Sequence, residues 1–367
     1  MLVPAPPRSV ATNLIFSDTI YQLFRPDLDV AARLRGEPTM AISDDLPALA
    51  VPAREIPVPR SVSPQARAML AMGRTETREY PALDDADAWR AMIKAADEAV
   101  LSMLLGRASG LPSDVEEIEV AGVRVYTIRP QDVPVDDRRV FLDVHGGALI
   151  MGGGECCRVM GAGTAARVGA PVWAVDYRMP PDHPYPAPLD DCVAAYRALL
   201  EEHRPDEIIV GGASAGGNLA AALILRARDE GLPLPAAAVL NTPEVDLTES
   251  GDTFQTNLGV DTVLPRSLMP ANLLYAGGHD LADPYLSPLF GDFAKGFPPT
   301  LLASGTRDLF LSNTVRMHRA LRAAGVPAEL HVLEAAPHAA FHGAAPEDRD
   351  LDREVRRFVD LHWGRLA

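Results

Sequence analysis

Ile208-Ile209-Val210-Gly211-Gly212-Ala213-Ser214-Ala215-Gly216-Gly217-Asn218-Leu219-Ala220 is the stretch on which the reading of the chain turns. Ile208–Val210 is a short apolar run with the look of a buried strand, and AGGNLAAALIL (215–225) has the look of a helix. Between them stands G-x-S-x-G in its strand–turn–helix setting. A nucleophile at the tip of so tight a turn sits in strained backbone, and bulky residues two positions to either side would clash; Gly212 and Gly216 relieve that. The helix opening at Ser214 aims its N-terminus at the reacting oxygen, which favours developing negative charge. Ser214 is therefore the candidate nucleophile.

His145-Gly146-Gly147-Ala148 follows the apolar run Phe141–Val144. Small residues let backbone N–H groups approach a substrate carbonyl oxygen, so Gly146, Gly147 and Ala148 are candidate oxyanion donors, with the N–H of Ala215 as the partner after the nucleophile. A plain glycine-rich turn is the competing reading. His145 is expected to anchor this loop and not to move protons.

Serine attacks poorly until a base takes its proton, and an imidazole base needs a carboxylate to fix its tautomer. Asp308 lies just past the run Thr300–Ser304, and His338 just past Ala328–Leu333. The order Ser214, Asp308, His338 puts all three at C-terminal strand ends, where doubly wound sheets place their sites. Asp308 could instead be a helix N-terminal acid, with Asp246 and Glu334 in reserve. Of the nearby histidines, His331 falls within the strand and His342 beyond Phe341. His338, after Pro337 and before Ala339 and Ala340, has room to face the serine.

Outward from these motifs, apolar runs alternate with helical segments from about residue 115. The runs are Val140–Val144, Pro171–Val175, Ile208–Gly212, Ala236–Leu240, Thr300–Ser304 and Ala328–Leu333. The helices are about Cys157–Val168, Leu189–Glu202, Gly216–Glu230, Ser312–Ala324 and Asp348–Trp363. This predicts an α/β fold with a mainly parallel sheet and helices on both faces. Val115–Ile128 alternates like a hairpin around Ala121-Gly122. Asp85–Leu105 has helical spacing, with Gly106 able to end it. Residues 1 to about 60 are irregular, and the proline-rich VPAREIPVPRSVSP is extended. The domain reading is an N-terminal extension with cap helices over 1–110 and a catalytic domain over 111–367. Asp246–Asp283, too long for an ordinary connection, is read as an insertion covering the site; a surface loop with its own small cluster is the alternative.

The net charge of −16 argues against a nucleic-acid partner, since phosphate binding needs clustered Lys and Arg, and against anionic membranes. No run of about 18 apolar residues is present, so no membrane span is expected. The N-terminus makes a poor signal peptide, which leaves the cytoplasm as the default. Cys156, Cys157 and Cys192 form no framework, and no CxxC or HExxH spacing suggests a metal.

From about Val115 onward the chain resembles the bacterial hormone-sensitive-lipase (family IV, GDXG-type) esterases of the α/β-hydrolase superfamily. The matching motifs are HGGA (145–148), DYRMPPDHPYPA (176–187), GASAGGNLA (212–220), VDLTESGD (245–252), DPYLSPL (283–289), SGTRD (304–308) and PHAAF (337–341). The resemblance implies the α/β-hydrolase fold, a helical cap, no cofactor and hydrolysis of short acyl esters through the same triad. It also implies a homodimer through the last strand and helix. This chain departs from the family where Ala148 replaces the third glycine, Ala213 the usual Asp or Thr, Leu309 the usual proline, Ser312 a common second acid and Glu244 a common Trp. Its LFLSNT segment (309–314) looks like that of relatives acting on ε-lactones, so a cyclic ester is an alternative substrate. An amidase on the same triad and a catalytically silent ligand-binding protein are the other readings; retention of Ser214, Asp308 and His338 argues against the silent one.

Overall fold

The structure is a computed structural model that describes residues 48–74, 79–108 and 113–364. Its contacts divide the chain into two units, residues 1–55 and 56–367. In the first, residues 48–55 are exposed and form neither helix nor strand. The expectations for residues 1–47 lie outside the described residues.

The second unit is built on an eight-stranded sheet among the described residues. Its strands are β1 (Ser113–Val120), β2 (Val123–Pro130), β3 (Val140–Val144), β4 (Val172–Asp176), β5 (Ile208–Ala213), β6 (Ala237–Asn241), β7 (Thr300–Gly305) and β8 (Ala328–Leu333). They lie in the order β1-β2-β4-β3-β5-β6-β7-β8. β1 and β2 are the expected hairpin, closed by Ala121 and Gly122 at φ 51° and 81°, and β2 is antiparallel to β4. Two positive φ values in a two-residue turn match the right-handed twist of the flanking strands. Every pairing from β4 to β8 is parallel.

The helices are α1 (Pro64–Ala71), α2 (Ala86–Ala108), α3 (Glu155–Val168), α4 (Ala187–Glu202), α5 (Ala215–Asp229), α6 (Thr253–Thr256), α7 (Met269–Ala276), α8 (Leu311–Ala323) and α9 (Pro346–His362). The central strands are buried on both faces, which is why they read as unbroken apolar runs. Alternate residues of one strand feed two cores. Leu142 and Val210 join α4 and α5 residues such as Leu189, Tyr196 and Leu223. Phe141, Ile209 and Leu301 join Cys157 of α3 and Val355, Phe358 and Val359 of α9.

Most predicted elements stand within two residues of their expected bounds. One differs more: α2 runs through Gly106 to Ala108, because a helical glycine costs only about 1 kcal/mol and need not stop a helix. The insertion at 246–283 carries α6 and α7, and its apolar side chains do not cluster by themselves. Ala271 packs with Trp89 of α2 and Ile150. Phe254 and Leu268 pack with Leu309 and Phe310, the residues following Asp308. The segment is thus bound to α2, to the loop after β3 and to the loop after β7.

Candidate active site

β5 ends and α5 begins within a single residue, Ser214, whose backbone stands at φ 58°, ψ −122°. For a residue with a side chain this conformation costs on the order of 1–3 kcal/mol and persists only where its surroundings enforce it. They do so from three sides. The Ser214 N–H donates to the Asn241 carbonyl at the end of β6 (2.9 Å). Its own carbonyl accepts the N–H groups of Asn218 and Glu244, both at 3.2 Å. Gly216 lies so close to the end of β3 that a Cβ there would stand 1.8 Å from the Val144 carbonyl oxygen. Any side chain at 216 would push the turn off the sheet.

The loop after β3 closes on this turn. A Cβ on Gly146 would sit 3.4 Å from the Ser214 Cβ, so the loop backbone runs directly beside the serine. Gly147, at φ 133°, has no room for a Cβ, which would stand 2.0 Å from the Met151 carbonyl oxygen. The N–H groups of Gly146, Gly147 and Ala148 donate to no acceptor among the described residues. His145 is tied into this loop. Its Nδ1 lies 2.8 Å from the Gly146 carbonyl oxygen, its ring stacks on Tyr177 at 4.0 Å, and the Tyr177 hydroxyl donates to its carbonyl (2.9 Å). Burial lowers its pKa, which keeps the ring neutral.

Asp308 and His338 meet at the same sheet edge. His338 Nδ1 lies 3.0 Å from Asp308 Oδ1, with both side chains buried. Asp308 is held in turn by the Ser304 hydroxyl (2.7 Å) and the Phe310 N–H (2.9 Å). The Phe310 ring meets the imidazole edge-on at 4.9 Å.

Residues 141–342 match the model of a family described as having the alpha/beta hydrolase fold. An acetyl-hydrolase of Streptomyces hygroscopicus is 35% identical over 59% of this chain and 71% of its own length. An esterase of Acinetobacter venetianus is 33% identical over 58% of this chain and 70% of its own. The crystal structure of an esterase, E25, superposes with a TM-score of 0.81 at 35% identity, covering 86% of this chain and 99% of its own. That of an esterase from the bacterial hormone-sensitive lipase family superposes with a TM-score of 0.70 at 32% identity, covering 82% and 99%. The chain belongs to the hormone-sensitive-lipase type of α/β-hydrolase esterases. It is an ester-hydrolysing serine hydrolase.

Of this esterase's reserve acids, Glu334 is exposed. Asp246 is fully committed elsewhere, to Thr248, Ser250 and Arg316 Nη1 (2.6 Å). Burial would raise the Asp246 pKa, but these hydrogen bonds outweigh it and hold the pKa below the ordinary value. His331 lies in β8 with Nε2 3.5 Å from Glu329, as its strand position implied. Burial by itself would lower the pKa of His338; the charge and hydrogen bond of Asp308, with Asp261 and Glu244 beyond, outweigh it and raise it.

The three cysteines are free and buried, in α3 and α4. His145, Cys157 and Asp176 bring potential metal-ligand atoms within 4.8 Å of one another. Asp176 already accepts the Gly154 N–H and pairs with Arg124, and burial raises the Cys157 pKa well above that of an ordinary thiol. The cluster is interior support for the loop after β3. A cavity of about 370 Å³ lies behind that loop, walled in part by Gly146, Ala213, Asn241 and Thr242; Ser214 is not among its walls.

Asp261 went unnoticed in the sequence. It sits in the 246–283 insertion and carries no motif, yet its buried carboxylate accepts four backbone N–H groups. Those of Leu309 (2.8 Å) and His338 (3.2 Å) come from the acid and base loops; those of Val263 (2.8 Å) and Leu264 (3.1 Å) are local. Burial raises its pKa, so this clamp depends on those donors. An amide offers one acceptor oxygen where the carboxylate offers two. Asp261→Asn is expected to cost about 1.5–3 kcal/mol in urea unfolding, the worth of hydrogen bonds to a charged group, together with a fall in kcat. A variant equal to wild type in both would show that the clamp is not needed.

Proposed function

We propose that the esterase works through Ser214 as nucleophile, His338 as general base and Asp308 as the acid that orients it. The observation that carries this is the joining of a strained serine on the strand–helix turn with a buried imidazole–carboxylate pair at the same sheet edge. His338 takes the Ser214 proton as the oxygen attacks the ester carbonyl. The N–H groups of Gly146, Gly147, Ala148 and Ala215 are the candidate donors to the resulting oxyanion, and collapse releases the alcohol and leaves an acyl-enzyme. Water, deprotonated by His338, then attacks the acyl-enzyme and frees the acid. The short-acyl reading rests on the Ala148 methyl in the oxyanion loop and on a cap made by α2 and the 246–283 insertion, which meet beside Ala148. Among the described residues no helix is long and apolar enough to cross a membrane. β8 closes one edge of the sheet and exposes Val332, which supports a homodimer through that edge and α9; light scattering that gives a monomer at micromolar concentration would rule it out.

Ser214→Ala is expected to lose about 10⁴-fold or more in turnover on p-nitrophenyl acetate with the fold intact. His338→Ala should be comparably inactive while His342→Ala keeps most activity. Asp308→Asn should fall strongly and Asp246→Asn much less, since Asp246 is tied to Thr248, Ser250 and Arg316. A tenth of wild-type activity in Ser214→Ala, or an inactive His342→Ala beside an active His338→Ala, would sink the assignment.

The pH profile follows from the raised His338 pKa. The base acts only when neutral, so kcat/KM should fall as pH drops through that pKa, with a half-point above the ordinary histidine value of about 6.5. Asp308→Asn removes the stabilising charge and should move the residual limb to lower pH. A wild-type limb at or below the ordinary value contradicts the reading.

A graded series of p-nitrophenyl esters should show a maximum in kcat/KM at acyl chains of about two to six carbons, where pocket contacts end. A steady rise to long chains would show an open pocket.

A further inference from the structure

Glu244 follows Pro243 just beyond β6, where the family often has a tryptophan, and its backbone is built into the nucleophile turn. Its N–H donates to the Ser214 carbonyl (3.2 Å), and its own carbonyl accepts the Asn218 side-chain amide (2.7 Å). The side chain has no freedom to leave: the residue is wholly buried. Neither carboxyl oxygen has a hydrogen-bond partner among the described residues. The Asn272 amide of α7 interacts with the carboxyl group and lowers its pKa, but makes no well-formed hydrogen bond to it: its Nδ2 donates to the Leu247 carbonyl (3.3 Å), and its Oδ1 is also unpartnered.

A buried polar group without a well-formed hydrogen bond is costly, and a native structure seldom carries a whole carboxyl group in that state without a use. Three groups interact electrostatically with the Glu244 carboxyl. They are His338, Glu249 in the insertion, and Tyr80, whose ring stacks on Trp89 of α2 at 5.6 Å. Through its backbone bonds to Ser214 and Asn218 the residue is fixed against the serine turn, with its carboxyl group within electrostatic reach of His338. Burial, reinforced by Glu249, lifts its pKa to about 8, so near neutral pH it is an uncharged acid with one O–H donor and one carbonyl acceptor. An uncharged acid is a poor partner for an ammonium group. It is well matched to a hydroxyl, which needs both an acceptor and a donor.

We propose that Glu244 is the specificity-determining residue of the ester pocket, and that it hydrogen-bonds a hydroxyl group carried by the substrate within a few bonds of the scissile ester. The inference rests on the esterase reading above and names its substrate class: short esters hydroxylated on the acyl or the alcohol side. No bond is made or broken at Glu244.

The test uses two pairs of esters that differ by hydroxyl against methyl. They are methyl 3-hydroxybutyrate with methyl 3-methylbutyrate, and 2-hydroxyethyl acetate with propyl acetate, each followed by acid release at pH 7. Wild type is expected to favour the hydroxylated member of at least one pair by about 10-fold or more in kcat/KM, because a site built to bond a hydroxyl rejects the analogue without it. Glu244→Leu should abolish or reverse that preference while still hydrolysing p-nitrophenyl acetate, and Glu244→Met serves if the leucine variant does not fold. Glu244→Gln, which keeps a donor and an acceptor, should retain much of the preference; a purely structural role would not produce this split. Equal use of both members by wild type, or a ratio unchanged in Glu244→Leu, overturns the proposal and leaves the esterase reading standing. Failure of wild type to hydrolyse any of the esters, p-nitrophenyl acetate included, overturns the esterase reading itself.

Discussion

The strained backbone of Ser214 is the constraint on which the rest of the site depends. A serine at φ 58° is held there because Gly216 rests against Val144 at the end of β3 and because Asn241 and Glu244 bond the serine backbone. Strands β3, β5 and β6 are neighbours in the sheet, so the strain is carried by parallel pairing and by two apolar cores. The turn presents the hydroxyl at the carboxyl edge, with the backbone of Gly146 alongside. A softer sheet would let Ser214 relax toward ordinary dihedrals and withdraw it from that loop.

The second constraint is electrostatic. Asp308 is wholly enclosed and His338 nearly so, and burial works against a charged imidazole. The carboxylates around it reverse that, Asp308 by contact and Asp261 from beside the backbone of the same loop. Asp308 and Asp261 are not interchangeable. Asp308 bonds the ring itself; Asp261 ties together the loops after β7 and β8, so that Asp308 and His338 are positioned jointly.

The departures from the family pattern fall around this frame and leave the proposed reacting groups in place. Ala148 still offers a backbone N–H. Leu309 is buried against Phe254 and Phe310, and its own N–H is one of the donors to Asp261, a bond that proline could not make. Ser312 bonds both ways with Thr253 of α6, fastening the insertion to the start of α8. Glu244 alone among these departures adds an ionisable group, one that interacts electrostatically with His338.

The sequence by itself determined the sheet, its helices and the three residues proposed for chemistry. Buried parallel strands must be continuous apolar runs, and a strand–helix turn around a nucleophile must be small on both sides, so both are written in local residue order. The hairpin at Ala121-Gly122 was legible for the same reason. Asp261 was not, because four N–H groups converge on it from segments up to 77 residues apart and no local pattern records such a meeting. Nor could spacing show that Asp246 is occupied by Arg316, that Ser304 supports Asp308, or that α2 passes through Gly106. The length of 246–283 marks it as an expected cover, but the partners of its apolar residues, α2 and the residues following Asp308, appear only in the fold. Local geometry and burial are one-dimensional signals; the sharing of hydrogen bonds and charge between distant loops exists only once the chain has folded.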